Sequence, residues 1–395
     1  MRAVYLIDSE KRSERAAFRT LHPKHLKTKG DLEKAVSRSE DTDLWIVFGN
    51  RITKLLADVH FAPRKAPELM VLGDMPRSRL EILRSFFGKL IYQEKVKLPF
   101  EQLAEVMAAE KEKYTEVAEL FQLASDILDY DLAQIILEGP AETLNQTIHT
   151  QPAMLVADIA LWILWRNQKG LMPAFMAGHS LGEYAALVAA DAISFEDAVK
   201  LVSHRAHLMQ DAIQNDAVMM AAIVGLDKKT ILSICAEASQ QGIVEAANFN
   251  SPTQTVISGQ QVAVLQAIEL AKAAGARLAK PLNVSIPSHC SMMKPAATKL
   301  QTYLNGIKIE QPTVPIIHNA TAKPCLDADQ IRDVLVKQLY SSVQWVDTIQ
   351  YMCSQGIDTV IECGPGKVLT GLNKAIDANL KLVTINSLES ILAFL

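Results

Sequence analysis

The sequence predicts an α/β protein in which a small mixed unit interrupts a larger α/β domain. Short runs rich in Val, Ile and Leu alternate with helical patterns along most of the chain. Residues 216–285 follow the order βαββαβ, which is that of the ferredoxin-like split unit. Strand and helix patterns then resume over residues 286–395. We therefore expect the small unit to be inserted into the larger domain.

Length and composition are those of a folded protein. Of the 395 residues, 49% are hydrophobic and 21% are charged, which supports a core and excludes intrinsic disorder. Five cysteines are too few for a small disulfide scaffold and are typical of reduced thiols. No run reaches the ~18 apolar residues of a membrane span, and the charged N-terminus lacks the apolar stretch of a signal peptide. A cytoplasmic protein without a membrane span is expected.

Charge is unevenly distributed along the chain. Met1–Leu90 contains 18 Lys and Arg against 12 Asp and Glu, whereas the remaining residues contain 22 against 32. A basic segment beside an acidic body could meet an acidic partner, although an ordinary solvated surface explains it equally well. Nucleic acid is not an expected partner, because the net charge is −4 and no nucleic-acid motif is present.

The first two regions contain the following elements. Residues 1–98 predict a small α/β unit, and residues 99–215 begin the larger domain. The predicted strands are Ala3–Ile7, Leu44–Phe48, Glu68–Leu72 and Ala174–Met176, and the predicted helices are Ile52–Val59, Arg79–Phe87, Phe100–Ile127, Met154–Trp165 and Gly182–Ala190.

The small unit and the last region complete the prediction. Within residues 216–285 the strands are Met219–Gly225, Val244–Phe249, Gln254–Ile257 and Arg277–Val284, and the helices are Lys228–Ser239 and Gln261–Ala274. Residues 286–395, which return to the larger domain, predict strands at Val314–Ile317 and Thr359–Ile361 and a helix at Ala328–Leu339.

A candidate nucleophile lies at Ser180, in the sequence Gly-His-Ser-Leu-Gly at residues 178–182. A predicted strand precedes it and a predicted helix follows it, which is the setting of a nucleophile elbow. The helix N-terminus favours negative charge, and the Leu181 N–H is placed to donate to an oxyanion.

A serine nucleophile needs a base, and histidine is the usual one. His179 lies inside the elbow and is too constrained to reach Ser180 well. His204 and His207 lie on a helix with a polar, exposed pattern. Spacing leaves His289, His149 and His318 open as candidates.

Six motifs follow one another in the chain: GHSLGEY, LVSHRAHLMQ, NFNSP, VSIPSHCSMMKPA, KQLYSSVQW and ECGPGKVLTGL. Together they resemble one enzyme family, the malonyl-CoA:acyl-carrier-protein transacylases of bacterial fatty acid synthesis, and the resemblance runs from about Leu128 to Leu395. It implies an α/β-hydrolase-like large domain with an inserted ferredoxin-like subdomain, preceded here by an atypical N-terminal region.

The resemblance also implies roles for individual residues. Ser180 resembles the acylated nucleophile and His289 the general base, with Gln338 supplying the backbone carbonyl that orients the imidazole. Arg205 resembles the arginine that binds the malonyl carboxylate through its two-pronged fork. Gln151 resembles a glutamine of the same pocket, and Leu181 provides one oxyanion N–H.

The first family motif is missing from this chain. The family begins with a strand that ends in Gly-Gln-Gly-Ser-Gln, whose first Gln supplies a second oxyanion N–H. The family spacing places Pro99 there, and proline has no N–H. The strand-like segments Leu44–Phe48 with Gly49-Asn50, and Met70–Leu72 with Gly73-Asp74, are two possible substitutes.

Three functions follow from these observations. The first is [acyl-carrier-protein] S-malonyltransferase activity, which needs malonyl-CoA and acyl-carrier protein but no metal or other cofactor, and which we expect of a monomer. The second is hydrolysis of acyl groups from carrier proteins, for which a carboxylate-binding Arg205 has little use. The third is a catalytically impaired carrier-binding protein, because the second oxyanion donor is missing and a basic segment could bind an acidic carrier.

Overall fold

The computed structural model describes residues 115–395, except 214–216, 283 and 285, and the backbone of five strands among residues 1–98. The chain divides into two compact units, Met1–Leu98 and Pro99–Leu395.

The first unit contains a five-stranded parallel sheet in the order β2-β1-β3-β4-β5. Its strands are β1 (Ala3–Asp8), β2 (Lys24–Leu26), β3 (Leu44–Phe48), β4 (Glu68–Leu72) and β5 (Lys89–Gln93). Parallel neighbours need crossover connections, as the predicted α/β alternation requires. The prediction missed the two edge strands, β2 and β5. The predicted helices Ile52–Val59 and Arg79–Phe87, and the turns that follow β3 and β4, lie outside the described residues.

Helices make up most of the second unit. They are α1 (Thr115–Leu128), α2 (Leu132–Glu138), α3 (Ala141–Leu144), α4 (Thr147–Asn167), α5 (Gly182–Ala189), α6 (Phe195–Asp211), α7 (Lys228–Ala238), α8 (Gln261–Ala273), α9 (Lys294–Leu304), α10 (Ala328–Gln338), α11 (Trp345–Ser354), α12 (Val368–Ile376) and α13 (Leu388–Phe394). Of the long helix predicted at Phe100–Ile127, residues 100–114 lie outside the described residues. The prediction missed α2, α3, α9, α11, α12 and α13.

Helix α4 begins seven residues before the predicted start, and Pro152 lies inside it. Proline cannot donate a hydrogen bond to the carbonyl four residues earlier. That carbonyl, of Ile148, lies 3.5 Å from the Tyr130 hydroxyl, which donates to it instead. By length and composition α4 could cross a membrane, but 56% of its most apolar stretch is buried inside the protein, as in a core helix.

The small predicted unit contains a four-stranded antiparallel sheet in the order β10-β7-β9-β8. The strands are β7 (Val218–Val224), β8 (Val244–Ser251), β9 (Gln254–Gln260) and β10 (Leu278–Pro281). Helices α7 and α8 bury an apolar core against it, formed in part by Ile223, Ile231, Ile257 and Val264. The predicted succession of strands and helices is therefore present. The division into domains 99–215 with 286–395, and 216–285, stays a prediction.

The strands of the larger domain lie in two separate short sheets among the described residues. One has the order β12-β11-β6 and the other pairs β13 with β14 in parallel. These strands are β6 (Met176–Ala177), β11 (Ile316–Ile317), β12 (Pro324–Cys325), β13 (Thr359–Cys363) and β14 (Lys381–Ile385). Strand β11 is shorter than predicted, and β6 overlaps the predicted Ala174–Met176 only at Met176. The prediction missed β12 and β14. Apolar residues of both sheets, including Ala177 and Val360, pack in one cluster around α11 and α12.

We predict that Gly259→Ala destabilises the second unit. Gly259 pairs with Val244 across β9 and β8, and a Cβ there would lie 2.0 Å from the backbone oxygen of Ile243. Because backbone must move to make room, the free energy of unfolding should fall by roughly 2 kcal/mol. Chemical denaturation measures the change.

The matched control is Gly371→Ala in α12, where a Cβ would meet nothing within 4 Å. Alanine is the better helix former, so this variant should be unchanged or more stable by about 0.5–1 kcal/mol. Equal destabilisation of the two variants would contradict the assigned strand register.

Candidate active site

The turn around Ser180 has the geometry of a nucleophile elbow. It joins β6 to α5, and Ser180 adopts a φ of 52°, in the left-handed region that side chains seldom occupy. A Cβ at Gly178 would lie 1.9 Å from the backbone of Gly182, so only glycine fits there. A Cβ at Gly182 would meet nothing within 4 Å. The contribution of Gly182 is its backbone, which lies close to Gly178.

Most amides of the turn that follows Ser180 are hydrogen-bonded within the described residues, but that of Leu181 is not. The Ser180 N–H donates to Asn319 Oδ1 at 2.6 Å. The N–H groups of Gly182 and Glu183 donate to the carbonyls of His179 and Ser180. In the described part of the chain the Leu181 N–H has no such bond. It therefore remains available to an oxyanion formed at Ser180.

His289 lies against the Ser180 side chain. Its Nε2 is 2.7 Å from Ser180 Oγ, and its Nδ1 is 2.8 Å from the backbone oxygen of Gln338. A carbonyl can only accept, so Nδ1 carries the proton and Nε2 accepts from the serine hydroxyl. His289 can therefore deprotonate Ser180 without a carboxylate as the third member of a triad.

The segment that carries His289 is held from two sides. His289 has a φ of 61°, and its N–H donates to the Leu339 carbonyl at 3.0 Å. Glu245, from β8 of the small sheet, accepts the Ser291 N–H at 3.0 Å just beyond. The small sheet and the end of α10 together set the imidazole position.

The environment of His289 keeps its imidazole neutral. Burial, and after it the positive charge of Arg205, lower the pKa of His289 from 6.5 to about 3. At neutral pH the ring is therefore unprotonated and able to accept the serine proton.

Arg205 is buried beside this pair, with only 2% of its surface exposed. Its Nη1 donates to Gln151 Oε1 at 2.5 Å, and its Nη2 donates to Gln338 Oε1 at 3.1 Å and lies 3.4 Å from Ser180 Oγ. The guanidinium lies 5.4 Å from the centre of the Tyr184 ring. Its Nε has no hydrogen-bond partner, and no carboxylate of the described residues pairs with it. An anion bound next to Ser180 could therefore use this charge.

The other described histidines serve elsewhere. His179 Nε2 lies 2.8 Å from Asn250 Oδ1, and His318 Nδ1 lies 2.7 Å from the Glu183 carboxylate. His149 packs edge-on against Tyr130, His204 stacks on Tyr303, and exposed His207 bonds to the Ser203 carbonyl. Of the three candidates that spacing left open, the fold brings His289 to Ser180.

Two buried polar residues of the site were not predicted from the sequence. Glu183 has no exposed surface and accepts bonds from Gln338 and from the Asn319 N–H. Asn319 also donates to the Gly178 carbonyl at 2.6 Å. The one signal for Glu183 was its place directly after the elbow, and nothing marked Asn319.

The described side chains form no metal site. Over the part of the chain that the structure describes, no group of three or more His, Cys, Asp or Glu is arranged to hold a metal ion.

Comparison with known proteins identifies the family. Residues 104–385 match the family model described as an acyl transferase domain. The malonyl CoA-acyl carrier protein transacylase of Salmonella typhimurium strain LT2 is 49% identical over 284 residues, which are 72% of this chain and 91% of the relative. The chain belongs to the malonyl-CoA:acyl-carrier-protein transacylase family. The Bacillus subtilis transacylase is 42% identical over 285 residues, 71% of this chain and 90% of the relative.

Solved structures of transacylases agree with this family. The enzyme of Coxiella burnetii is 46% identical, covers 74% of this chain and 92% of its own, and has a TM-score of 0.72. A malonyl-transacylase solved with the holo acyl-carrier protein of a type II polyketide synthase is 44% identical, with the same TM-score, over 74% of this chain and 93% of its own. The fold predicted from the resemblance, a mixed α/β acyltransferase, is thereby confirmed.

We predict that the reactivity of Ser180 is insensitive to pH in the usual histidine range. Because the pKa of His289 is lowered to about 3, the base stays deprotonated throughout. The second-order rate constant for labelling by a fluorophosphonate should therefore show no inflection near pH 6.5. Measuring the rate between about pH 5 and pH 8, with Ser180→Ala as the unlabelled control, tests this. An acid limb centred near 6.5 would contradict the buried, cation-adjacent environment of His289.

Proposed function

We propose that this chain moves a malonyl group from malonyl-CoA to the phosphopantetheine thiol of an acyl-carrier protein, in fatty acid or polyketide synthesis. The observation that carries this proposal is the guanidinium of Arg205, 3.4 Å from Ser180 Oγ, beside a Ser180–His289 pair. A cation next to a nucleophile suits an acyl group that ends in a carboxylate. The names of the relatives support the same reaction.

The first half of the reaction acylates Ser180. As Ser180 Oγ attacks the thioester carbonyl of malonyl-CoA, His289 Nε2 takes the hydroxyl proton. The Leu181 N–H donates to the oxyanion of the tetrahedral intermediate. The carbon–sulfur bond then breaks, CoA leaves as its thiol with the proton from His289, and malonyl-Ser180 remains.

The second half reverses these steps with a different thiol. His289 takes the proton of the phosphopantetheine thiol, whose sulfur attacks malonyl-Ser180. Collapse of the intermediate returns that proton to Ser180 Oγ and releases the malonyl carrier protein. No net oxidation or hydrolysis occurs, and no cofactor beyond the two substrates is required.

Arg205 binds the malonyl carboxylate in both halves of the reaction. Gln151 orients the guanidinium by accepting a hydrogen bond from Arg205 Nη1. Gln338 orients His289 through its backbone carbonyl. We further propose a cytoplasmic monomer with the domain limits 1–98, 99–215 with 286–395, and 216–285.

The Gly-Gln-Gly-Ser-Gln motif is missing. The tests below therefore also distinguish hydrolysis of acyl groups and impaired carrier binding. Pro99, which occupies the position of the second oxyanion donor by spacing, lies outside the described residues. Loss of one such donor typically costs ~10²–10³ in rate.

We predict a covalent malonyl-Ser180 intermediate. After incubation with malonyl-CoA, mass spectrometry should find one malonyl group on the peptide that contains Ser180, and holo acyl-carrier protein should then remove it. Ser180→Ala should gain none. Rapid release of free malonate without the carrier would instead favour the hydrolase, and absence of any adduct would favour the impaired carrier-binding protein.

We also predict that Arg205→Ala changes acyl selectivity. A hydrogen-bonded charge contributes ~1.5–3 kcal/mol, so kcat/KM for malonyl-CoA should fall by about 10- to 100-fold relative to acetyl-CoA. Arg332→Ala is the matched control, because Arg332 bonds to the carbonyls of Leu304 and Ile307 and contacts none of the site residues. An unchanged ratio in Arg205→Ala would remove Arg205 from carboxylate recognition.

A further inference from the structure

The Glu183 carboxylate is buried among donors directly below the elbow. Its side chain has no exposed surface, although it lies in the first turn of α5. Oε1 lies 2.7 Å from His318 Nδ1, and Oε2 accepts from the Asn319 N–H at 3.0 Å and from Gln338 Nε2 at 2.9 Å. A buried carboxylate with this many hydrogen bonds is part of the internal structure of the site and is not a surface charge.

One set of these bonds leads to Arg205. Gln338 Nε2 donates both to Glu183 and to the Ser180 carbonyl, whereas Gln338 Oε1 accepts from Arg205 Nη2. A carboxylate only accepts, so it dictates that the NH₂ end of the Gln338 amide faces Glu183. The oxygen end is then directed at the guanidinium. Without this acceptor, only the Ser180 carbonyl would hold the NH₂ end of the amide away from the guanidinium.

The other set leads to the nucleophile. Glu183 holds the backbone N–H of Asn319, and the Asn319 side chain bridges the elbow by accepting from the Ser180 N–H and donating to the Gly178 carbonyl. Ser180 occupies a left-handed conformation, which is strained for a residue with a side chain and needs support from its surroundings. Asn319 provides that support, and Glu183 holds Asn319.

The arrangement also separates two charges that would otherwise neutralise each other. Arg205 bonds to the neutral amide of Gln338, and Glu183 bonds to the opposite end of the same amide. A direct ion pair would occupy the fork that a substrate carboxylate needs. With the amide between them, Glu183 offsets the burial of the Arg205 charge, and the two Nη atoms donate to neutral amide oxygens and not to a carboxylate.

We propose that Glu183 is a positioning residue for carboxylate selectivity, which orients Gln338 and Asn319 and, through them, Arg205 and Ser180. This inference rests on the proposed function, because it assumes an acyl group that ends in a carboxylate. Glu183 touches neither the substrate nor the reacting atoms.

The test measures kcat/KM for malonyl-CoA and acetyl-CoA on the same preparation of each full-length variant. The ratio of the two constants cancels the fraction of folded enzyme, so a loss of stability alone does not move it. Glu183→Ala removes all three acceptor bonds and should lower the malonyl-to-acetyl ratio about tenfold. Glu183→Gln keeps an amide oxygen for Asn319 and Gln338 and should rescue part of it, within about two- to fivefold of the unmodified chain.

A matched control loses a buried hydrogen bond outside this network. Asn373 is 1% exposed and accepts from Trp345 Nε1 at 2.9 Å. Asn373→Ala should lower the melting temperature and leave the ratio unchanged.

The outcomes are distinguishable. If the unmodified chain forms no malonyl-Ser180, the proposed function fails first. If it forms the adduct but Glu183→Gln and Glu183→Ala keep its ratio, the positioning role is wrong. Should Glu183→Ala not fold, the ratio of Glu183→Gln decides alone: a reduced ratio supports the role, and an unchanged ratio overturns it.

Discussion

A buried cation, Arg205, organises the polar interior that the structure describes in this acyltransferase. An unpaired guanidinium excluded from water costs several kcal/mol, and Arg205 is 2% exposed. The chain compensates with two amide oxygens, from Gln151 and Gln338, and with the face of Tyr184. None of these three groups carries a negative charge, and the Glu183 carboxylate is separated from the guanidinium by the Gln338 amide. The positive charge of Arg205 acts on His289, whose pKa it lowers.

The same charge affects the base. Burial lowers the pKa of His289 most, and Arg205 lowers it further, to about 3. The Gln338 carbonyl directs the remaining ring proton to Nδ1. A neutral imidazole with a free Nε2 is the form that accepts a proton from a serine. The charge that we propose for carboxylate recognition thus also helps to keep the His289 imidazole neutral.

The site is assembled from segments that are far apart in the chain. The elbow lies between β6 and α5, Arg205 lies on α6, and His289 follows the small antiparallel sheet by a few residues. That sheet takes part in the assembly, since Glu245 of β8 holds the segment just after His289. The backbone of Val343, beyond α10, also bonds to Ala247 and Phe249 of β8. The small antiparallel sheet therefore helps to position His289.

Sequence patterns predicted the structure where the deciding contacts join nearby residues, and they failed where those contacts join distant residues. Gly178 is required by backbone contact four residues away, so the elbow motif was readable, and the antiparallel strands showed clear hydrophobic runs. Edge strand β2 lacks such a run, and β5 has only the short run Leu-Ile-Tyr; both were missed. Taken alone, Arg205 on a polar helix pattern indicated an exposed side chain, and the family resemblance was needed to assign it to the pocket. Glu183 looked like an ordinary acidic residue at a helix N-terminus, because its partners lie 135 to 155 residues further along the chain.

The sequence by itself indicated the family, Ser180 as the candidate nucleophile and the order of the elements in the small antiparallel unit, because motifs and periodicity are written in neighbouring residues. The tertiary structure decided which histidine meets Ser180, which nitrogen of that histidine carries the proton, and which end of Gln338 faces Arg205. These depend on burial and on hydrogen bonds between distant segments, and such bonds exist only once the chain has folded.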